Sequence, residues 1–425
     1  MTENMTTPAA DQNATTGTEF LRDFAEMSSF GATDRGGVHR EAATDADHQT
    51  RAWFAAWLER NGFEVTRDEV GNQFGLVELV PGAPYLLVGS HLDSQPMAGR
   101  FDGAYGVLAA AHAARDARTR AERGEIHPLF NLAVVNWFNE EGSRFTPSMM
   151  GSSVYTGKMA AADSLSTVDR AGISVADALA QGEVGRLAEA PAAAAYAEIH
   201  IEQGRTLENG GHTIGLVDRT WAASKYRIVV HGEQGHTGST IMADRKDALF
   251  GAALLIVAAR ELTEVFDEGL LHSSVAELSL EPNSPVTLAR EVVMNLDLRS
   301  PDESVLARAN EILVEKIAEI EARARVTIER HLTHQWGLSP YQPEGVDLAR
   351  AAAAELGLSH TEIMTVAGHD STNMKDIVPT VMLFIPSIEG ISHNELENSS
   401  DADSVAGVAM LSEVVARLLR GDLAG

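Results

Sequence analysis

Short apolar runs that end in polar side chains recur along the chain, and the first of them sets the pattern. Residues 85–88 have the length and flanks of a buried strand, which leads through His91 and Asp93 into a loop containing Gly and Pro. Residues 104–114 are rich in Ala and contain no helix breaker, so they predict a helix that begins close to Asp102. One imidazole and two carboxylates are therefore expected to converge.

Three later segments repeat this design. The run LAVVNWFNEEG ends in Glu140 and Glu141, AYAEIHIEQG carries His200, and TVMLFIPSIEGISHNE leads to His393. The carboxyl ends of parallel strands gather ligands at one edge of a sheet. The repetition favours a shared site over four unrelated strand ends.

The order of the predicted elements indicates an α/β fold, with a mixed, mainly parallel sheet covered by helices. Strands and helices alternate from 85 to 215, and the pattern then changes to long amphipathic helices and strands of a separate α+β unit. We predict a catalytic domain formed by 19–217 and 334–425, with an inserted lid and dimerisation domain at 218–333. Residues 1–18 are interpreted as a disordered tail.

Composition narrows the possible functions. The chain has 425 residues, a formal charge of −28 and no cysteine. The negative charge argues against nucleic acid or an anionic membrane as a partner, and no apolar run approaches the roughly 20 residues that span a bilayer. Without cysteine, any metal must be held by His and carboxylate side chains. The N-terminus lacks a signal-peptide pattern, so we expect a cytoplasmic protein.

Five sequence blocks carry a resemblance to a known family. The blocks are GSHLDSQPMAGRFDGAYGVLAA, NEEGSRF, HIEQG, AGHDS and PSIEGISHNE. They resemble the amidase, hydantoinase and carbamoylase branch of the M20 metallopeptidases, over roughly residues 20–419. That branch includes N-carbamoyl-L-amino acid hydrolases, allantoate amidohydrolases and β-ureidopropionases.

The resemblance implies a site for two divalent metal ions per subunit. By the family pattern Asp102 spans both ions, and the other ligands are His91, Glu141, His200 and His393. Imidazole and carboxylate ligands suit Zn²⁺, Mn²⁺, Co²⁺ or Ni²⁺, and the sequence leaves the choice open. Two ions roughly 3.5–4 Å apart can polarise a scissile carbonyl and lower the pKa of a shared water.

The two adjacent carboxylates need separate roles. If Glu141 binds metal, Glu140 is left to take a proton from water and pass it to the leaving nitrogen, as a general base and acid. A solvated pair at a turn does not explain why the pair ends an apolar strand. Asp93 matches the family position that orients the ligand imidazole of His91.

The resemblance also implies substrate contacts. His236 matches a histidine that enters the active site of the partner subunit in a homodimer and polarises the substrate carbonyl. Arg299 matches the arginine that binds the substrate carboxylate, a task suited to guanidinium. Weaker candidates for substrate contacts are Gln203, Asn283 and His369.

The sequence departs from the branch in the segments that recognise substrate. The branch commonly reads Pro-Asn-x-x-Asn-x-x-Pro-Gly before the arginine strand, but here Val286 replaces the second Asn and Ala289-Arg290 replaces Pro-Gly. Ile241 stands where a proline is usual after the His-x-Gly block. These changes predict an altered acid-recognition pocket.

The leading hypothesis is metal-dependent hydrolysis of a linear C–N amide or ureido bond in an N-carbamoyl-type L-amino acid. One alternative is an N-acyl-L-amino acid amidohydrolase, for example for N-acyl aspartate, with Arg290 as a second carboxylate contact. Another is a metal-bound binding protein without activity, against which the intact Glu140 argues. The sequence contains neither a cysteine nor a Gly-x-Ser-x-Gly elbow, so it gives no support for a mechanism that uses a cysteine or serine nucleophile.

Overall fold

A computed structural model describes residues 8–182 and 184–423 of the chain. The α-helices are α1 Pro8–Met27, α2 Asp45–Arg60, α3 Ala104–Glu122, α4 Met150–Tyr155, α5 Ala161–Ser166, α6 Val175–Leu179, α7 Thr206–Gly210, α8 Ala248–Glu261, α9 Glu303–Ala324, α10 Pro343–Glu355, α11 Asp370–Met374 and α12 Asp401–Leu419. Short 3₁₀ turns occupy Met242–Asp244, Leu262–Val265 and Ile388–Gly390.

The strands are β1 Glu64–Arg67, β2 Gln73–Val77, β3 Tyr85–His91, β4 Asn131–Trp137, β5 Arg186–Leu187, β6 Ala193–Ile201, β7 Ile214–Thr220, β8 Ala222–His231, β9 Gly235–His236, β10 His272–Glu281, β11 Thr287–Leu288, β12 Glu291–Ser300, β13 Thr327–Trp336, β14 Ser339–Pro340, β15 His360–Thr365 and β16 Thr380–Ile385. The chain forms two compact units. The first runs to Asp218 and includes Tyr341–Ile363 and the chain from Gly368 onwards; the second comprises Arg219–Pro340 and Met364–Ala367.

The first unit is built on a mixed sheet with the order β7-β16-β6-β3-β4-β2-β1-β5, and β15 pairs with β7. β14 pairs with Arg219 and Thr220 at the end of β7, within the second unit. Its four middle strands, β16, β6, β3 and β4, are mutually parallel. Every residue of β4 and β16 is buried, which is the burial expected of parallel strands covered on both faces. The predicted α/β class with a mainly parallel sheet is confirmed.

Helices α3 and α12 form a large part of the core around this sheet. Residues 104–114 of α3 are all buried, because the small Ala side chains let the helix lie close to the strands. The C-terminal helix α12 packs Leu411, Val414 and Val415 into the same core. The carboxyl ends of the middle strands are therefore held on a rigid layer.

The second unit is a four-stranded antiparallel sheet with the order β10-β12-β8-β13. Its buried residues form one core with those of α8 and α9. In α9, Leu306, Ala309 and Leu313 recur at helical spacing on the buried face, whereas most of the charged residues are exposed. The β9–β11 pair forms a separate two-stranded ribbon.

The structure changes two details of the predicted organisation. Helix α1 begins at Pro8, so a disordered tail is wrong for residues 8–18, and residues 1–7 lie outside the described part of the chain. Proline is tolerated in a first helical turn because the amide it lacks has no partner within the helix. The second unit extends to Pro340 and regains Met364–Ala367, beyond the predicted limit at 333. No helix in the described ranges could span a bilayer.

Candidate metal centre

The candidate ligands come from the ends of the four middle strands of the first unit. His91 is the last residue of β3, and His200 lies one residue before the end of β6. Glu141 follows β4, and His393 follows β16 in the loop that leads to α12. His91 and His200 are each 1% exposed, so desolvation leaves few partners for their ring nitrogens other than the site itself.

The two buried imidazoles are oriented by main-chain carbonyl groups. His91 Nδ1 is 2.9 Å from the carbonyl oxygen of Asp93, and His200 Nδ1 is 2.9 Å from that of Ile201. Each contact favours a proton on Nδ1 and turns Nε2 toward Asp102, as is usual for metal-binding histidines. Gly103 makes room for this arrangement, since its φ is +63° and a Cβ there would lie 2.3 Å from the His91 ring.

Asp102 presents one oxygen to each of two ligand groups. Its Oδ1 lies 3.0 Å from His200 Nε2 and 3.6 Å from His91 Nε2, whereas its Oδ2 lies 3.1 Å from His393 Nε2. His393 Nε2 is also 3.4 Å from Glu141 Oε2. The ligand atoms of each group lie within 4.8 Å of one another.

These separations fit metal coordination. Two ligands of a tetrahedral ion with bonds of about 2.1 Å lie roughly 3.4 Å apart. The measured distances of 3.0–3.6 Å are close to that value in both groups. The donor set of imidazoles and carboxylates suits a borderline divalent cation. The two groups, the first of His91, Asp102 and His200 and the second of Asp102, Glu141 and His393, therefore fit two ions that share Asp102.

Glu140 lies beside these groups without belonging to either. Its Oε2 is 3.6 Å from His91 Nε2, and the residue is 8% exposed. Burial and the neighbouring charges of Asp370 and Glu141 raise the pKa of Glu140 well above its ordinary value. A buried carboxyl group that has a raised pKa and belongs to neither group of candidate metal ligands is suited to proton transfer.

Asp93 acts on the site through two different groups. Its carbonyl oxygen orients His91, while its carboxylate oxygens each accept an amide N–H, those of Glu140 and Glu141, at 3.2 Å. The carboxylate is 3.6 Å from His91 Nδ1. The carboxylate therefore holds the turn that carries Glu140 and Glu141, and the imidazole contact predicted from the sequence is made mainly by the backbone.

Gln203 contacts the shared carboxylate. Its Nε2 donates at 2.9 Å to both Asp102 Oδ2 and Ser392 Oγ, and its φ of +59° belongs to the left-handed region. Its Oε1 is buried and has no hydrogen-bond partner among the described residues. His369 is buried, and its ring centroid is 4.5 Å from that of His200.

The three remaining predicted residues belong to the second unit. His236 is exposed, and its Nδ1 accepts the amide N–H groups of Gly238 and Ser239 at 3.0 and 3.2 Å. The proton of the neutral ring therefore lies on Nε2, which makes that atom a donor. Asn283 is exposed in the loop between β10 and β11.

Arg299 has protein partners for all three guanidinium nitrogens. Nη2 and Nε donate to Asp297 Oδ2 at 2.6 and 3.0 Å, and Nη1 donates to the Val366 carbonyl at 2.7 Å. Arg299 also lines a cavity of about 400 Å³. Arg290, suggested above as a second carboxylate contact, pairs with Glu281 at 3.1 Å, so its charge is already partly neutralised.

The profile of Peptidase family M20/M25/M40 matches residues 87–417. A protein of Mycolicibacterium smegmatis, whose name gives the class hydrolase without a substrate, is 56% identical over 95% of this chain and 94% of its own. The N-carbamoyl-L-amino-acid amidohydrolase of Rhizobium meliloti is 32% identical over 92% of this chain and 93% of its own. The chain belongs to the M20/M25/M40 family.

Further comparisons place it among the amidohydrolases of that family. The allantoate amidohydrolase of Bacillus subtilis is 30% identical over 94% of this chain and 97% of its own. The crystal structure of a hydantoinase/carbamoylase family amidase from Burkholderia vietnamiensis superposes with a TM-score of 0.88 at 33% identity, covering 95% of this chain and 97% of the other. The protein is a metal-dependent amidohydrolase that acts on C–N bonds other than peptide bonds.

Sequence reasoning missed several residues that support the ligands. Gln95 donates its side-chain amide to Glu141 Oε2 at 2.9 Å and its backbone N–H to Oε1 at 3.1 Å. Ser392, next to His393, contacts Gln203 and Asp102. Glutamine and serine in a loop give no distinctive signal, although the position of Gln95 in the loop between His91 and Asp102 could have suggested a contact to the site.

In the metal-free protein, protonation of candidate ligands supplies part of the positive charge that bound metal ions would bring. Burial acts to lower the pKa values of His200 and His393, but the hydrogen bonds and charge of Asp102 outweigh it and raise both to about 9. Burial and the charge of Asp102 raise the pKa of Glu141 to about 8. Burial lowers the pKa of His91 to about 4, so this ring stays neutral.

We therefore expect metal binding at pH 7 to release protons. His200, His393 and Glu141 are protonated below their raised pKa values, and a metal ion needs their deprotonated forms. Metal affinity should consequently rise between pH 6 and pH 8. Titration calorimetry of metal-free protein with Mn²⁺, in buffers that differ in ionisation enthalpy, should show the release of about two to three protons.

The variant His393→Asn provides the control, because it removes one of the protonated groups and should release fewer protons per protein. Metal binding without proton release, or with an affinity independent of pH, would contradict this description of the site.

Proposed function

We propose that the protein hydrolyses the C–N bond of an N-carbamoyl-L-amino acid, with two divalent ions held by the two groups that share Asp102. Support comes from relatives named N-carbamoyl-L-amino-acid amidohydrolase over nearly the whole chain. The observation that carries the proposal is the position of Glu140, buried 3.6 Å from His91 and outside both ligand groups.

The bound ions and Glu140 would have separate roles in the reaction. When bound, the ions would supply an electrophile for the carbonyl oxygen and a water of lowered pKa. Glu140 takes a proton from the attacking water and delivers it to the nitrogen that leaves when the C–N bond breaks. Positive charge in the two groups would offset the neighbouring carboxylates that raise the pKa of Glu140.

The unpartnered oxygen of Gln203 favours a substrate with an N–H group. Gln203 Oε1 is a buried acceptor next to the shared carboxylate, and leaving such an atom unpaired costs about 1–3 kcal/mol. The terminal NH₂ of a carbamoyl group can donate to it. An N-acyl group offers a methyl or longer alkyl chain at the same position, so the contact favours a ureido substrate.

Arg299 is proposed to bind the substrate carboxylate. It lines the cavity in the second unit together with His272, Ser273 and Ser274. Asp297 already accepts hydrogen bonds from Nε and Nη2 of Arg299, so a substrate carboxylate must either displace Asp297 or use the remaining N–H groups of the guanidinium. The arrangement would keep the guanidinium oriented before substrate arrives.

His236 and Arg299 lie near opposite ends of the sheet in the second unit. His231 pairs with Glu291 at one end of β12, and Arg299 pairs with His272 at the other. Eight residues of strand span roughly 26 Å at about 3.3 Å per residue. The ribbon with His236 follows the Glu291 end of the sheet. One amino-acid-sized substrate could not touch both residues of one chain, which supports a homodimer in which His236 acts in the partner's site.

An N-acyl-L-amino acid is the second candidate substrate. The departures from the family pattern lie close to His236, since the Val286 carbonyl accepts the Thr237 amide at 3.2 Å and Thr287 pairs with His236. Val286 and Ile241 are 59% and 62% exposed, so they add apolar surface to the ribbon and its adjoining loop. Such a surface would suit a larger, apolar acyl group.

Glu140→Gln should reduce kcat by at least the roughly 10²–10⁴-fold typical of general acid–base catalysis, without loss of metal. Glutamine keeps the size of the side chain but cannot carry the proton. Steady-state kinetics and metal analysis would measure both effects. The matched variant Glu141→Gln should instead lose metal from the second group. Near-normal turnover of Glu140→Gln at full metal content would exclude Glu140 as the base and reopen the inactive binding protein as an alternative.

Substrate preference should be measured with N-carbamoyl, N-formyl and N-acyl derivatives of L- and D-amino acids, each with Mn²⁺, Co²⁺, Ni²⁺ and Zn²⁺. We expect hydrolysis of N-carbamoyl-L-amino acids, and we expect Val286→Asn to increase kcat/KM for them because it adds a donor for the carboxylate. If only the N-acyl compounds are hydrolysed and Val286→Asn impairs that reaction, the second candidate is correct.

The dimer can be tested by mixing two inactive variants. Glu140→Gln and His236→Ala chains should regain activity after exchange of subunits, because one site of each hybrid then has an intact base and an intact partner histidine. Glu140→Gln mixed with Glu141→Gln should stay inactive. Mixed samples shown to contain hybrids but lacking activity would place His236 outside the partner's site.

A further inference from the structure

Glu397 connects the two loops that carry Asp102 and His393. Its Oε1 accepts the backbone N–H groups of Phe101 and Asp102 at 3.1 and 3.0 Å. Its Oε2 accepts the Ser392 hydroxyl at 3.0 Å and the His393 backbone N–H at 3.3 Å. All four donors lie in, or next to, the segments that present the ligands.

The Phe101 and Asp102 amides need such an acceptor. They directly precede Gly103, the N-cap residue of α3, which has no side chain to accept a hydrogen bond. The Glu397 carboxylate accepts these two amides from a loop almost 300 residues away, at 295 and 296 positions in sequence. A negative charge is favourable at the positive end of the 19-residue helix α3.

The backbone is shaped to receive this carboxylate. A Cβ added at Gly99 would lie 2.0 Å from Glu397 Oε1, so the chain approaches Glu397 more closely than any other residue type would permit. Glu397 itself is 4% exposed. Burial of a carboxylate is costly unless its oxygens are hydrogen-bonded, and here each oxygen has two donors.

We propose that Glu397 is a positioning residue that holds Asp102 and His393 at coordination distance and thereby prepares the second group to bind its ion. This inference rests on the two-ion centre of the proposed function. Asp102 Oδ2 and His393 Nε2 lie 3.1 Å apart, although their loops follow different strands. Glu397 is bonded to the main chain of both residues and fixes that separation.

The two groups depend on Glu397 to different degrees. The first group takes His91 and His200 from β3 and β6, which are hydrogen-bonded to each other within the sheet. The second group takes His393 from a loop, where its φ of +53° is an uncommon conformation for a residue other than glycine. Loss of Glu397 should therefore weaken the second ion more than the first.

Titration calorimetry of the metal-free full-length protein with Mn²⁺ tests this. The wild type should bind two ions. In Glu397→Gln the second site should weaken by the roughly 10–100-fold typical of residues that support metal ligands, while the first changes by less than about threefold. Glutamine preserves the volume and one acceptor, and the melting temperature of the metal-free variant would establish that it remains folded. Ser392→Ala, which removes one of the four donors, should weaken the second site to a smaller extent.

Glu395→Gln is the matched control. Glu395 lies two residues away on the same loop, but its carboxylate accepts from Thr33 Oγ1 at 2.5 Å and pairs with Arg35 at 3.6 Å, away from the ligands. It should bind both ions as the wild type does. Equal effects of the two glutamine substitutions, or equal weakening of both sites in Glu397→Gln, would overturn the proposal. A wild type that binds fewer than two ions would instead refute the two-ion centre of the proposed function.

Discussion

The structure of the centre depends on several carboxylates that are buried close together at one edge of the sheet. Asp93, Asp102 and Glu140 are buried within one small region, and Glu141 adds a fourth carboxylate that is largely enclosed. Like charges at such distances cannot all remain ionised without cations. In the metal-free protein the raised pKa values of His200, His393 and Glu141 provide the balance, because they favour the protonated forms of these groups. The same site therefore favours divalent ions over any neutral occupant.

The strand pattern allowed much of this centre to be predicted. In a parallel layer, residues that follow successive strands must meet at one edge, so His91, Glu141, His200 and His393 could be grouped without knowledge of their coordinates. The family resemblance implied that Asp102 spans both ions, but the division of the other residues between the two groups required the structure. The distribution of the two Asp102 oxygens between the groups required the structure, because it depends on a side-chain orientation that no sequence pattern encodes.

The remaining contacts could not be predicted for a related reason. Asp93 acts partly through its carbonyl oxygen, which every residue possesses, and Gln203 turns toward Asp102 because a left-handed backbone directs it there. The early start of α1 was missed because its polar composition resembles that of a tail. Glu397 has an ordinary sequence context, and its importance is visible only once two distant loops are side by side.

The place of β16 within the sheet has a consequence for synthesis on the ribosome. This strand pairs with β6 on one side and β7 on the other, yet it is made after the whole of the second unit. Until residues 380–385 emerge from the ribosome, β6 and β7 each lack the strand that pairs with them in the complete sheet. Unpaired strand edges of this kind can associate with other chains. Completion of the sheet and synthesis of His393 thus occur together, near the end of translation, so a chain that stops early retains the exposed edges and lacks the histidine of the second candidate ligand group.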